Sequence, residues 1–574
     1  MKRKCCFTIA VCSLFLYHYE IFSDAGIEFP TTESCLTAEP TFASFDEVFL
    51  HANDLFHQEQ YAQAAHFYKK ALEFNPQCAH TWFNLGQAYY LQQRYDLALS
   101  AYKNTVKYKP THHRVYAQIG KLFFDVKQYK EAIIALEKAV DFDQTTIELY
   151  MHLSRAYCST QAFDKALETV QKGLSHNPKD INLTFELANV YNHLNKLEEA
   201  LALYKTLDSL APNNPSIIYN IAFTLKKLGK AEESLDYYNK VIELNPHHKD
   251  AWFSRGLAYL VLGDFEKGWQ GYEWRYHKPE QGCLRSLTST RWDGTDLTDK
   301  IILLHAEQGL GDTFQFIRYA QLIKNTKNPK KIIAAVQKPL VTLMRLCPYI
   351  DEVIAVDDHY STYDVHAPLM SLPYILKTTI ETIPCTIPYI FGNQTLTQQW
   401  KNKLAQDINI KVGICIQGNQ NYATPQLQMT VALKSVGVEQ LAPICRVPGV
   451  SIYSLQKMSG TDQFNNLPED INIIVFDSDF DQSNGRFMDT VAVIENLDLI
   501  ITVDTSICHL AAALGKPTWV MLPNPADWRW MQNKTDSPWY PTIRLFKQPT
   551  PGDWESMIKE VAQELGKFVE SKKK

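Results

Sequence analysis

Cysteine is sparse and unpatterned in this chain. Of twelve residues, nine remain once Cys5, Cys6 and Cys12 near the start are set aside, and no Cys-x-x-Cys occurs. An odd, scattered set excludes a disulfide framework and a paired-cysteine zinc site. Cys415, Cys445 and Cys508 sit among apolar residues, as buried free thiols do. No His, Cys, Asp and Glu spacing suggests a metal, and no cofactor is expected. A basic stripe is also missing: 57 Lys and Arg mix with 63 Asp and Glu, for a net charge of −6. Nucleic acid is therefore not an expected partner. The apolar run from Cys5 to Tyr17 is too short to span a bilayer comfortably. It follows Lys2-Arg3-Lys4 and precedes Ser23-Asp24-Ala25, so 1–25 reads as a signal peptide, with a short anchor as the alternative. Export to the periplasm follows if it is cleaved, a cytoplasmic location if it is not a signal. No stable membrane span is expected after processing.

What is present is a repeat. Pro76, Pro110, Pro178, Pro212 and Pro246 lie on one 34-residue grid, with Gln144 filling the gap. Two series on the same grid are small: Ala52, Gly86, Gly120, Ser154, Ala188, Ala222, Gly256, and Ala64, Ala98, Ala132, Ala166, Ala200, Ser234, Gly268. Two more are large and apolar, one running from Leu55 and Tyr89 to Tyr259, the other from Tyr68 and Tyr102 to Tyr272. Each unit reads as two antiparallel helices, crossing at the small residues and stopped by the proline. One unit cannot bury its own apolar face, so neighbours stack. These residues resemble the tetratricopeptide family over seven units, 45–282, an α-solenoid. A polar series, Asn84, Gln118, His152, Glu186, Asn220 and Ser254, keeps the same step. In that family it faces the concave groove, where it would either bond a protein or peptide partner or form a solvated face.

After Tyr276 the step ends. Residues 283–299 read as a linker, and strands and helices then alternate. Strands are expected at Lys300–His305, Lys331–Val336 and Glu352–Val356. A second series runs Lys411–Ile416, Ser451–Gln456, Ile471–Phe476, Asp498–Val503 and Thr518–Leu522. Helices are expected at Thr313–Asn325, Val438–Cys445, Asp489–Asn496, Ser506–Leu514 and Asp553–Val569. That order predicts an α/β fold of two Rossmann-like lobes, 300–400 and 401–570.

Two strand-to-helix turns carry candidate chemistry. In Gln308-Gly309-Leu310-Gly311-Asp312-Thr313, glycines admit a ligand close to backbone, and Asp312 would lie at the carboxyl edge of the sheet. It reads as a general base or as the N-cap of a helix beginning at Thr313. In Val503-Asp504-Thr505-Ser506-Ile507-Cys508-His509, polar residues crowd a helix start suited to a pyrophosphate, with His509 one turn in. Capping by Asp504 or Thr505 is the alternative.

The stretch from Gly263 onward resembles bacterial proteins that fuse tetratricopeptide repeats to a heptosyltransferase-like glycosyltransferase domain of GT-B fold. The matching text includes Gly268-Trp269, Tyr272-Glu273-Trp274-Arg275, His305-Ala306-Glu307-Gln308-Gly309-Leu310-Gly311-Asp312, Ser454-Leu455-Gln456-Lys457, Asp504-Thr505, Asp527-Trp528-Arg529-Trp530 and Ser537-Pro538-Trp539-Tyr540. The resemblance implies a nucleotide-sugar donor, no metal, Asp312 as the acceptor-activating base, and Gly309, Gly311, Thr313, Asp504, Thr505, Ser506 and His509 around the donor. One departure stands out. Relatives carry basic residues in the loop after the first strand of the second lobe. Here 412–433, including Gly418–Thr430, holds no charge. Arg486, Arg529 or Lys457 would have to supply the countercharge. Two functions therefore stand: a glycosyltransferase whose repeats recruit acceptor or partner, and a non-catalytic scaffold on a degenerate transferase domain.

Overall fold

The computed structural model describes residues 42–277, 287, 289–358, 362–420, 425–465, 467–469 and 471–573. The expected leader at 1–25 lies outside them, as do 283–286 and 288 of the expected linker and 421–424 of the uncharged segment. The chain divides between Gln118 and Ile119 into two compact units, and fourteen consecutive helices are described from Phe45 to Tyr272.

The small series does what its spacing predicts. Within the first unit a Cβ on Gly86 would lie 2.5 Å from the Tyr102 ring, and Ala52, Ala64 and Ala98 are fully buried. Within the second, a Cβ on Gly256 would lie 2.6 Å from the backbone of Gly271, so two helices cross in contact there. Two devices repeat that the grid of prolines and alanines does not announce. The residue turning from first to second helix is left-handed every time: Glu59 and Gln93 in the first unit, then Lys127, Gln161, Asn195, Gly229 and Gly263 in the second. Only the last two are glycine, so the others carry a conformation costing about 1–2 kcal/mol. The second device anchors the helix start. Trp82, Tyr116, Tyr150 and Trp252 each donate to the carbonyl six residues back, on Pro76, Pro110, Gln144 and Pro246.

The α/β region contains two sheets, all parallel. The first joins β1 (Thr290–Arg291), β2 (Ile301–His305), β3 (Lys331–Val336), β4 (Glu352–Ala355) and β5 (Val365–Pro368) in the order β1-β5-β2-β3-β4. The second joins β6 (Ile410–Cys415), β7 (Val450–Ser454), β8 (Ile473–Ile474), β9 (Leu499–Val503), β10 (Thr518–Leu522) and β11 (Ile543–Lys547) in the order β11-β10-β9-β6-β7-β8. Buried parallel strands read as apolar runs, and β2, β3, β9 and β10 are such runs.

Several expectations need correcting. The linker holds β1, which pairs with β5 and so belongs to the first sheet. β5 and β11 went unread because Val-His-Ala-Pro and Ile-Arg-Leu-Phe-Lys are short and interrupted by polar residues. The helix expected at Thr313–Asn325 is two, Leu310–Phe316 and Arg318–Thr326. The strand expected at Ile471–Phe476 shrinks to Ile473–Ile474. Much of the uncharged segment is a helix, Pro425–Leu433, with proline at the first position, where its missing N–H costs nothing.

The last repeat is part of the core of the α/β region. Phe265, Trp269 and Tyr272 share one apolar cluster with residues of both lobes. Trp269 donates from Nε1 to the Thr378 carbonyl at 3.0 Å and meets Trp528 edge-on at 5.3 Å. Arg275, fully buried, pairs with Glu307 at 3.0 Å and Glu273 at 2.6 Å, and bonds Tyr276 and Ser371. The lobes are tied directly as well, because buried Arg318 of the first donates to the Trp539 carbonyl of the second. The Trp and Arg motifs that suggested the resemblance are thus largely packing groups.

Candidate active site between the lobes

The turn after β2 and the turn after β9 face each other. A Cβ on Gly311 would lie 3.0 Å from Cδ2 of His509 and 3.4 Å from Cα of Ser506. Glycine at 311 is what lets the two helix starts approach.

Asp312 does not cap as expected, because the helix begins at Leu310 and not at Thr313. It lies one turn inside and reaches back, its Oδ2 accepting from the Gly309 N–H at 2.8 Å. Its Oδ1 pairs with Nη2 of Arg529, 217 residues away. Burial pushes the Asp312 carboxyl up from its ordinary value, and Arg529 opposes this. Arg529 also holds Asp527 through Nη1 at 2.9 Å and Gln315 Oε1 through Nε at 2.7 Å, and its guanidinium lies over Trp528. Burial raises Asp527, but Arg529 and Lys434 outweigh it and hold the carboxyl at about 2.

Across the site, Lys434 donates to Asp504 at 2.6 Å. Lys434 follows directly on the helix Pro425–Leu433, which carries the cation past the uncharged segment and back to the turn. Burial works against its charge, and Asp504 and Asp527 more than restore it. Of the three cations named as substitutes, only Arg529 reaches this place. Lys457 donates to the Phe480 carbonyl at 2.7 Å, and Arg486 lies against Met458. Lys434 is a further cation, outside those three. The signal that marked it was its being the first charge after the neutral stretch.

The remaining predicted residues divide. Thr505 stands at the N-cap of Ser506–Ala513 but its side chain makes no capping hydrogen bond, and Asp504 before it pairs with Lys434. The first N–H groups of this helix are thus not taken by a side chain at the N-cap, which favours an anion there. Thr505 Oγ1 instead lies 3.3 Å from Thr502 Oγ1. Thr313 is corrected: it is buried and donates to Gln337 at 2.8 Å. Gly309 is engaged by Asp312, so its N–H serves the local turn. His509 is buried, stacked on Trp530 at 5.5 Å, with Nδ1 2.9 Å from the Tyr540 hydroxyl. Burial, then Arg529, pull its pKa down to about 3, so it is neutral and supplies no countercharge. Donor atoms of Asp504, Cys508 and His509 lie within 4.8 Å of one another. Each has a protein partner, however: Lys434, the Thr505 carbonyl at 2.9 Å, and Tyr540.

Beside this turn, Gly418 abuts Thr505 and Val431. From there a cavity of about 680 Å³ opens among Gln417, Gln420, Met458, Ser459, Asp462 and Gln463. Three amides, Gln417, Gln420 and Gln463, are part of its wall; Gln463 donates to Gln417 at 2.8 Å, and Gln456 behind it donates to the Gln417 carbonyl at 2.8 Å.

The tetratricopeptide repeat family matches residues 49–104, 113–146, 160–222 and 219–268. Glycosyltransferase family 9 (heptosyltransferase) matches 486–521, which holds β9, the Asp504–Ser506 turn and all but the last residue of β10. The chain is a fusion of tetratricopeptide repeats with a heptosyltransferase-like domain. Protein FlbA of Caulobacter vibrioides is 24% identical over 337 residues, covering 56% of this chain and 55% of the relative. The chain thus spans about half the length of the curated relative it matches. Among solved structures, YrrB, a TPR protein with an unusual peptide-binding site, is 22% identical with a TM-score of 0.29, covering 33% of this chain and 98% of that one. A tetratricopeptide repeat protein from Parabacteroides merdae is 16% identical with a TM-score of 0.37, covering 40% and 91%.

On the repeats, the polar series is partly consumed inside the protein. In the second unit Glu186 is buried and pairs with Arg155, and Ser254 is buried 3.3 Å from the Tyr219 hydroxyl. Asn220 bonds the Ser216 carbonyl of its own helix, while His152 remains half-buried. In the first unit Asn84 donates to Asn53 at 3.1 Å, and Gln118 is half-buried. Glu186 and Ser254 are therefore removed from an exposed groove set, because each satisfies a neighbouring repeat. No helix among the described residues is long and apolar enough to cross a membrane.

Proposed function

We propose that this protein is a metal-independent GT-B glycosyltransferase that moves a sugar from a nucleoside diphosphate to an acceptor hydroxyl. One observation carries the reading. Despite the uncharged segment, two cations act on Asp312: Arg529, which pairs with it, and Lys434, which pairs with Asp504. The amide-lined cavity would take the nucleoside, and the start of Ser506–Ala513 the diphosphate. The acceptor oxygen attacks the anomeric carbon and passes its proton to Asp312. The bond from that carbon to the phosphate oxygen breaks, and the diphosphate leaves with the electron pair, held by Lys434 and Arg529. Charge placed in advance at the leaving group is commonly the largest catalytic contribution. The repeats would recruit the acceptor or a protein partner.

Calorimetry with ADP-, GDP-, UDP- and CDP-glucose tests this. One of them should bind, and Lys434→Ala should weaken it about ten- to a hundred-fold, the value of one charged hydrogen bond. Absence of binding at millimolar concentration would leave the scaffold reading. Export through 1–25 belongs to that second reading, since an exported transferase would lack a nucleotide-sugar supply. Intact mass of the native protein decides whether the segment is retained.

A further inference from the structure

The site as it stands is closed to a diphosphate by its own acids. Three carboxylates, Asp312, Asp504 and Asp527, face two cations, Lys434 and Arg529, and both cations are already paired. A dianion gains nothing at a place whose formal charges leave one negative unless a cation exchanges partners. Lys434 can turn outward, since its side chain is 26% exposed. Arg529 is held at three points, by Asp312, Asp527 and Gln315. Asp527 lies only two residues from it in the same turn and moves with it. Asp312 comes from the other lobe and does not.

Building on the transferase reading, we propose that the Asp312–Arg529 pair is a latch: the donor diphosphate takes Arg529 from Asp312, so the base is uncovered only after the donor is bound. While Arg529 occupies Oδ1 and the Gly309 N–H occupies Oδ2, Asp312 is a poor proton acceptor. Once the guanidinium turns to phosphate, the carboxylate faces an anion in place of a cation and becomes more basic. The order is then donor first, acceptor second, and the base is not exposed in an empty site. The charged and titratable groups around Asp312 are Arg529, Asp527, Lys434 and Tyr272. His509, beside it on the opposing helix, is neutral. Of the two acids that Arg529 holds, only Asp312 is left without it when the guanidinium turns, because Asp527 lies in the same turn as Arg529.

The test is calorimetry with the same nucleotide sugars, whose diester diphosphates do not titrate near pH 5. At that pH it is run in two buffers of different ionisation enthalpy. Binding to the wild type should take up a fraction of a proton. Asp312→Asn should abolish the uptake and tighten binding about ten- to a hundred-fold, the loss of one competing charged bond. Asp527→Asn removes an equal charge from Arg529, so it controls for plain electrostatics and should leave the uptake in place. Thermal unfolding of each variant verifies its fold. Binding without uptake in the wild type, or uptake that survives Asp312→Asn, would overturn the latch and leave the transferase reading intact. Failure of all three proteins to bind any nucleotide sugar would overturn both.

Discussion

The repeats and the heptosyltransferase-like lobes are held together over very different distances along the chain. In the repeats, side chains find partners one unit away: Asn192 with Thr224 at a separation of 32, Arg155 with Glu186 at 31, Tyr219 with Ser254 at 35. In the lobes, Lys434 reaches Asp504 across 70 residues, Arg529 reaches Asp312 across 217, and Arg318 reaches Trp539 across 221. The repeat region can thus be assembled from neighbours, whereas the site exists only when the whole second half is folded. The last repeat belongs to both schemes. It closes its own pair of helices at Gly256 and Gly271, and it fills the core of the lobes with Trp269 and Arg275.

That double membership can be broken most severely at Arg275. Arg275→Met leaves Glu307 buried without its cation, which should cost about 3–5 kcal/mol. Urea unfolding followed by tryptophan fluorescence reads it. If the transition reported by the lobe tryptophans does not move, the last repeat is a separate module and the comparison fails. Gly256→Ala presses a methyl onto the Gly271 backbone and should cost about 1–3 kcal/mol, read in the same way. A loss confined to far-ultraviolet ellipticity of the helices would place the damage in the repeat alone.

A titration sharpens the contrast from the side of the lobes. His509 is held at about 3 in the folded protein, below the ordinary value near 6.5. Between those values the unfolded chain binds a proton that the folded chain does not. The stability is intact above about pH 6.5 and falls on acidification, by about 1.4 kcal/mol per pH unit for this one group. Burial lowers His112, His152, His193 and His366 as well, so they act in the same direction. The difference in slope between wild type and His509→Phe, from denaturant curves at pH 7 and 5, isolates the contribution of His509. Equal slopes would contradict it. The smallest expected effect is a gain: Lys127→Gly at a φ of 62° should stabilise the repeats by about 0.5–1 kcal/mol, the strain relieved less the entropy of glycine. No change in melting temperature would mean that the turn is not strained.

How much was legible follows the same division. The prolines, alanines and tyrosines of the repeats recur every 34 residues because each unit must present the same crossing to the next. A local rule then repeats itself in the letters. The left-handed turn at Glu59, Gln93, Lys127, Gln161 and Asn195 did not show, since five different polar contexts satisfy one backbone need. In the lobes the apolar runs of β2, β3, β9 and β10 were readable, because parallel strands buried on both faces admit little else. So were the turns bearing Asp312 and Asp504, each set where a strand runs into a helix. Not readable was that Thr313 turns to Gln337, that His509 is enclosed by Trp530 and Tyr540, or that Lys434 supplies the charge the segment before it lacks.

The amino-acid sequence by itself determined a solenoid of tetratricopeptide repeats, an α/β region after it, and the two turns where chemistry could reside. Those features rest on periodicity and on strand-to-helix punctuation, which act over a few residues to a few tens. Only the tertiary structure decided which charges meet. Lys434 on Asp504 and Arg529 between Asp312 and Asp527 are pairings across two sheets and a helix. Coulomb attraction depends on distance in space, and no spacing along the chain encodes that distance until the lobes have closed on the last repeat.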